Sequence, residues 1–276
     1  MSFSINSNIG SQQSNFYANQ NQNNLNKTLS ALSSADKLSS AATDAASLAI
    51  SEKLLALISG SGQAIQNANE SIGLIQVADG ALLGIEDNTQ RIRTLTLQAS
   101  NDTLNDGDRA IIQQEIDSLS ESSEDIATST SYNGIKLLDG SGGSRGNGTF
   151  VTQNGPDSGD THSVSIGDAR ASTLIGNIDV TTQAGRDTAL TSLDGGLKEI
   201  SNIRANLGAA QNGLASSIRN TSVSQINAAS AASQLRDVDF ALESANFSRQ
   251  NIFTQTGTFA QAQGNANKSN LVGLLG

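Results

Sequence analysis

The sequence predicts a mainly α fold: a long antiparallel helical bundle or coiled coil with a small central β-hairpin region and both termini at one end. Three observations predict it. The 276 residues include a single proline, Pro156. Proline inside a helix costs about 3 kcal/mol, so its near-absence leaves long helices uninterrupted. Apolar residues recur at spacings of three, four and seven on both sides of residues 132–186, which is the period of a helical seam. Aromatics make up 3% and hydrophobic residues 36% of the chain, and tryptophan is absent. Helices of that composition bury a narrow seam rather than a broad core.

Residues 1–24 are mostly Ser, Asn and Gln, interrupted by Phe3, Ile5, Ile9, Phe16 and Tyr17. Alone, such a segment buries too little to offset its ordering entropy, which predicts disorder in the monomer. A helical pattern starts at Leu25 and runs through Leu29, Leu32, an alanine-rich stretch to Ala49, then Leu54, Leu55 and Ile58. The run Ser59-Gly60-Ser61-Gly62 predicts its end. The clearest periodicity follows, in Ile65, Ala68, Ile72, Ile75, Leu82, Ile85, Ile92, Leu95 and Ala99. One helix from about Gln63 to Ala99 would be roughly 55 Å long at ~1.5 Å per residue. Asn105-Asp106-Gly107 predicts a turn, and Ile112, Ile116, Leu119 and Ile126 mark one face of the next helix.

Between Tyr132 and Arg186 the texture changes. Leu138 to Gly148 is glycine-rich loop, while Thr149-Phe-Val-Thr152 and His162-Ser-Val-Ser-Ile166 alternate like strands. Asn154-Gly155-Pro156-Asp157-Ser158-Gly159 separates them, which predicts a hairpin near 148–167. Helix then resumes with Leu193, Leu197, Ile200, Leu207, Leu214, Ile218, Ala228 and Ala232. A last helix carries Val238, Leu242, Ala245, Ile252 and Phe259, ahead of the apolar tail Leu271-Val-Gly-Leu-Leu-Gly276.

Composition argues against several functions. The net charge is −10 and no basic cluster occurs, so neither a nucleic acid nor an anionic membrane surface is an expected partner. No run of eighteen apolar residues is present to span a bilayer. Met1-Ser-Phe-Ser-Ile-Asn6 does not read as a cleaved signal peptide. Without cysteine there are no disulfides or thiolate metal sites. The single histidine, His162, reads as a surface strand residue with no partner for a metal pair or a catalytic triad. Glu121, Glu124 and Asp125 read as solvated charge on a helix face. Gly140-Ser-Gly-Gly-Ser-Arg-Gly146 lacks the Gly-Lys-Ser/Thr ending of a phosphate loop. No catalytic residue, cofactor or metal is expected.

The ends point elsewhere. Four of the seven phenylalanines, Phe240, Phe247, Phe253 and Phe259, lie beyond residue 239, where little sequence remains to bury them. With Ile252, Leu271, Leu274 and Leu275 they form the candidate assembly interface.

Several spaced blocks then resemble bacterial flagellin. At the N-terminal side they are Asn23-Asn-Leu-Asn-Lys-Thr-Leu-Ser30, Asn67-Ala-Asn-Glu-Ser-Ile-Gly-Leu-Ile-Gln-Val-Ala-Asp-Gly-Ala-Leu82, Gln90-Arg-Ile-Arg-Thr-Leu95 and Ser131-Tyr-Asn-Gly-Ile-Lys-Leu-Leu-Asp-Gly140. At the C-terminal side they are Leu207-Gly-Ala-Ala-Gln-Asn212, Leu235-Arg-Asp-Val-Asp-Phe-Ala-Leu-Glu243 and the Leu-Leu ending. The resemblance covers about residues 20–140 and 190–276. It implies a short flagellin lacking large outer domains. Residues 1–40 with 236–276 would form a terminal coiled-coil inner layer, disordered in the monomer, and 41–235 a helical rod. It further implies a subunit that polymerises with itself into the helical, extracellular filament used for swimming. Export would run through the flagellar type III route, with a chaperone at the C-terminal helix and the filament cap and hook-junction proteins as partners. The hook–filament junction protein is the alternative of the same architecture. The family's innate-receptor contact maps to Arg91, Leu95 and Glu115, implying a host Toll-like receptor as a further partner. Ala35 to Ser47 departs from the family pattern, with fewer charges and glycine replaced twice.

Overall fold

The computed structural model describes residues 9–38, 42, 44–143 and 145–275. Among these are six helices and two antiparallel strand pairs: α1 (Ile9–Ser34), α2 (Ala45–Ala99), α3 (Asp106–Ser129), β1 (Ser131–Tyr132), β2 (Ile135–Lys136), β3 (Thr149–Gln153), β4 (Thr161–Ser165), α4 (Ala171–Leu174), α5 (Gln183–Arg236) and α6 (Phe240–Leu275). The chain divides into two compact units, Met1–Ala56 with Asn227–Gly276, and Leu57–Ile226.

The second unit holds the core. Arg93 donates to Asp194 at 2.7 Å, Arg204 to Asp79 and Glu86 at 2.9 and 2.6 Å, and Gln225 to the Ile58 carbonyl at 3.2 Å. Low numbers on α2 meet high numbers on α5, so the two helices run antiparallel. Ile75, Leu82 and Ile85 of α2 pack with Ile200, Ile203, Leu207 and Leu214 of α5, and Val164 and Ile166 of the hairpin close the cluster. A second cluster joins Ile92 and Leu95 to Ile112 and Ile116 of α3 and to Leu193 of α5. Residue size follows the packing. The buried seam of α2 is built mainly of Ile and Leu, with Ala78, from Ile75 onward, and of Ser61, Ala64 and Ala68 before it.

Two helix boundaries differ from the sequence reading. The chain does not break at Ser59-Gly60-Ser61-Gly62; α2 continues through it. Ser61 is fully buried in step with Ala68 and Ile75 at spacings of seven. A Cβ on Gly60 would come within 3.1 Å of the Pro156 Cβ. These small residues admit the hairpin loop, and packing outweighs the ~1 kcal/mol per glycine that helix propensity charges. The break falls instead between α1 and α2. Ala35 takes φ 55°, which ends α1. Asp44 then caps α2, accepting from the Ala46 and Ser47 amides at 3.1 and 3.0 Å. Nor is Asn105-Asp106-Gly107 only a turn. Asn105 caps α3 by a reciprocal pair with Asp108, at 2.9 and 3.2 Å.

The hairpin is present, with Phe150 opposite Val164 and Thr152 opposite His162. A smaller one, β1–β2, went unread. Its turn is Asn133-Gly134, both at positive φ, the geometry two-residue hairpins prefer. Glu124 is more than solvated charge, since it accepts from the Ser172 amide at 3.1 Å. His162 is only partly at the surface: the residue is half-buried, its Nε2 is covered, and a Cβ on Gly213 of α5 would lie 3.1 Å from its Cε1.

Candidate assembly interface

In the first unit α1 and α6 pack on one another. The half-buried residues of α1 include Ser14, Ala18, Asn21, Leu25, Thr28 and Leu32, alternating by four and three. On α6 the matching series is Glu243, Phe247, Gln250, Thr254, Gly257 and Gln261, at the same alternation. Both are heptad seams, and both are largely small or polar. Gln261 donates to Asn15 across the pair.

Apart from Leu25, Leu32 and Phe247, the large apolar side chains of α6 and the start of α1 are elsewhere. Phe240 is 66% exposed, Ile252 61%, Phe253 49% and Phe259 71%. Ile252 lies two residues from both Gln250 and Thr254, about 200° around the helix from the seam. Ala245, Ile252, Phe259 and Ala266, all exposed, repeat at seven and so form a second stripe on the face away from α1. The same holds on α1, where exposed Ile9 and Phe16 are seven apart and off the seam. Tyr17 sets its ring edge-on to Phe16, with centroids 5.8 Å apart.

Of the expected interface residues, Phe240, Ile252, Phe253 and Phe259 are thus uncovered, while Phe247 lies on the seam, half-buried. The backbone is helical to Leu275, and the side chains of Leu271, Leu274 and Leu275 lie outside the described residues. Ile9, Phe16, Leu242 and Ala245 are exposed in the same way, and the sequence reading did not single them out for the interface. Their spacing of seven, for all but Leu242, was the available signal.

In the second unit Arg91 and Glu115 form a 2.7 Å ion pair, with side chains about half exposed. Leu95 does not join them at the surface. It is 2% exposed, packed against Ile92 and Ile116, because it continues the α2 seam. Among the described residues no group of His, Asp and Glu is placed to hold a metal ion. No described helix is long and apolar enough to cross a membrane.

Long packed helices, with a helix pair that leaves Ile252 and Phe259 uncovered, fit the class of structural proteins that associate with their own copies. Comparison with known proteins says which kind. Residues 5–142 match the bacterial flagellin N-terminal helical region and 190–275 the bacterial flagellin C-terminal helical region. The chain is 35% identical over 274 residues to a flagellin of Halalkalibacterium halodurans, covering 98% of this chain and 99% of that one. It is 34% identical over 301 residues to a flagellin of Bacillus subtilis, covering 98% and 99%. The crystal structure of Bacillus cereus flagellin superposes with a TM-score of 0.50 at 27% identity, over 56% of this chain and 88% of that one. The chain belongs to the bacterial flagellin family. It is a structural subunit that polymerises into the helical flagellar filament, an extracellular part of the flagellum. The relatives at about 35% identity are flagellins, and no observation favours the hook-junction alternative.

Proposed function

We propose that the filament is held by the outer faces of α1 and α6, through Phe240, Ile252, Phe253 and Phe259 with the tail Leu271, Leu274 and Leu275, and with Phe247 setting the seam beneath them. Residues 1–40 and 236–276 are the inner layer, ordered on assembly, and 41–235 the rod. The observation that carries this reading is the exposure of Ile252 and Phe259 on the face opposite the α1–α6 seam. Two apolar stripes on opposed faces need two different neighbours. Such heterologous contacts propagate instead of closing. The test is elongation of filament seeds by full-length protein carrying Ile252→Asp and Phe259→Asp, followed by electron microscopy. Loss of elongation with unchanged monomer helicity supports the assignment, and normal filaments refute it.

We propose the remaining roles with support from family membership. The subunit has no catalytic activity and is exported by the flagellar type III route. An export chaperone covers the α6 stripe beforehand, and cap and hook-junction proteins meet the filament ends. A host Toll-like receptor reads Arg91 and Glu115 on the rod, with buried Leu95 positioning α2 beneath them. Nanomolar monomer should stimulate receptor-bearing cells, and Arg91→Ala should reduce the response while leaving thermal stability near wild type. A silent wild-type monomer removes the receptor from the partners.

A further inference from the structure

Asparagine is followed by glycine at four places in the chain: Asn133, Asn147, Asn154 and Asn212. Such a step carries its own reactivity. Glycine has no side chain to hold its amide nitrogen away from the side-chain carbonyl carbon of the asparagine before it. Attack still requires the two atoms to come within about 3–3.5 Å in the right orientation, so the fold decides which steps can react.

At three of the four the fold withholds a partner. Asn212 lies within α5, where the helical ladder fixes the backbone on both sides. Asn147 accepts from the Thr149 amide at 3.2 Å, and the Gly148 amide, the nucleophile of that step, donates to the Gly142 carbonyl at 2.8 Å. Asn154 donates to Ser217 of α5 at 3.1 Å. Its own amide donates to the Asp160 carbonyl at 2.9 Å, and the Gly155 carbonyl accepts from Gln153 at 2.8 Å. Asn133 differs on each count. With Gly134 it forms the exposed turn between β1 and β2, strands of two residues each. Among the described residues nothing hydrogen-bonds to the Asn133 side chain or the Gly134 amide. No atom beyond the chain neighbours stands within 4 Å of a Cβ on Gly134. Asn133 also sits at φ 51°, a conformation that side-chain-bearing residues rarely adopt, so leaving it costs little.

We propose that Asn133 is a site of spontaneous covalent modification, converting to aspartate and isoaspartate in the folded protein while the other three steps stay intact. Base from water removes the Gly134 amide proton, and the nitrogen attacks Cγ of Asn133. The new N–Cγ bond forms as the Cγ–Nδ2 bond breaks, and Nδ2 leaves as ammonia with a proton from water. Water then opens the five-membered imide. Cleavage at Cγ gives aspartate, and cleavage at the main-chain carbonyl gives isoaspartate, whose backbone runs through the side chain. Either product adds a negative charge to the turn. Isoaspartate also lengthens a two-residue turn by a carbon atom, which breaks the Tyr132–Ile135 register.

The test is to age the full chain at mildly alkaline pH, native and in guanidinium chloride. Peptide mapping by mass spectrometry, with chromatographic separation of aspartate from isoaspartate, then follows each step. In denaturant all four should convert at similar rates. In the native protein Asn133 should convert within about threefold of its denatured rate, and the other three about tenfold or more below theirs, because each must first open locally. Asn133→Asp, which is itself one of the two products, should abolish most of the ammonia released by native protein. Native conversion of Asn133 as slow as at the other three steps, or equally fast at all four, overturns the proposal. Undiminished ammonia release from native Asn133→Asp overturns it as well.

Discussion

Asp36 is where single side chains decide how the terminal segments begin. Its carboxylate accepts from Arg236 Nε and Nη2 at 3.1 and 2.5 Å and from the Leu38 amide at 2.8 Å. Beside it the Lys37 amide donates to the Arg236 carbonyl at 2.7 Å. The Arg236 guanidinium, and secondly the Leu38 amide, hold the Asp36 carboxyl below its ordinary value. A lowered carboxylate stabilises the fold fully above the unfolded value, about pH 4, and that contribution is lost as pH falls through the lower folded value. Asp36→Asn at pH 7 should therefore raise exchange at the Lys37 and Leu38 amides by up to about fivefold, since partly exposed ion pairs contribute about 0–1 kcal/mol. Acidifying the wild type through the lowered folded value should approach the same state; equal protection in the two proteins at pH 7 would dismiss the pair. Gly148 makes a different demand. It has φ 69°, and a Cβ there would sit 2.2 Å from the Ile166 carbonyl oxygen. Gly148→Ala should cost about 1–3 kcal/mol in urea unfolding.

Among the helices, the same heptad spacing has two outcomes, and burial separates them. Leu207 on the α5 seam is 1% exposed, and Phe259 on the outer α6 stripe is 71% exposed. Leu207→Ala should lower unfolding stability by about 2–5 kcal/mol. Phe259→Ala should change monomer stability by no more than about 0.5 kcal/mol, yet slow seeded elongation. A large stability loss in the second variant would mean that Phe259 is packed within its own chain. Much of this was legible in the sequence. The seams of α2 and α5 show in Ile65 to Ala99 and Leu193 to Ala232, and the crowding of phenylalanines beyond residue 239 marks an unburied face. What escaped depends on partners distant along the chain. Gly60 and Gly62 read locally as a helix end, but their effect is set by Pro156 and Gln225, which approach from the hairpin loop and α5. His162 alternates like a surface residue, and only its approach to Gly213 of α5 shows that its Nε2 is covered. Leu95 could serve the seam or the surface by spacing alone, and the presence of Ile116 decides for the seam.

At the scale of the whole chain, the two units are stabilised unequally, which is why assembly and folding should be coupled. The unit Leu57–Ile226 contains both large apolar clusters. In the other, the α1–α6 seam offers Asn21, Thr28, Gln250, Thr254 and Gly257 where a self-sufficient coiled coil would place Leu or Ile. Apolar contact that the seam lacks within one chain is available on its outer faces, from neighbouring copies. In dilute monomer, amides of α1 and of α6 should therefore exchange rapidly, while Ile72–Leu95 and Leu197–Ile218 remain protected. In assembled filament, α1 and α6 should gain protection and the rod should change little. Deleting 236–276 separates the two requirements. The truncated chain should keep the protected rod and its cooperative unfolding, and it should fail to elongate seeds because both α6 faces are gone. Long filaments from the truncated chain, or monomeric α1 and α6 as well protected as the rod, would show that the terminal pair folds on its own and that assembly is driven from elsewhere on the subunit.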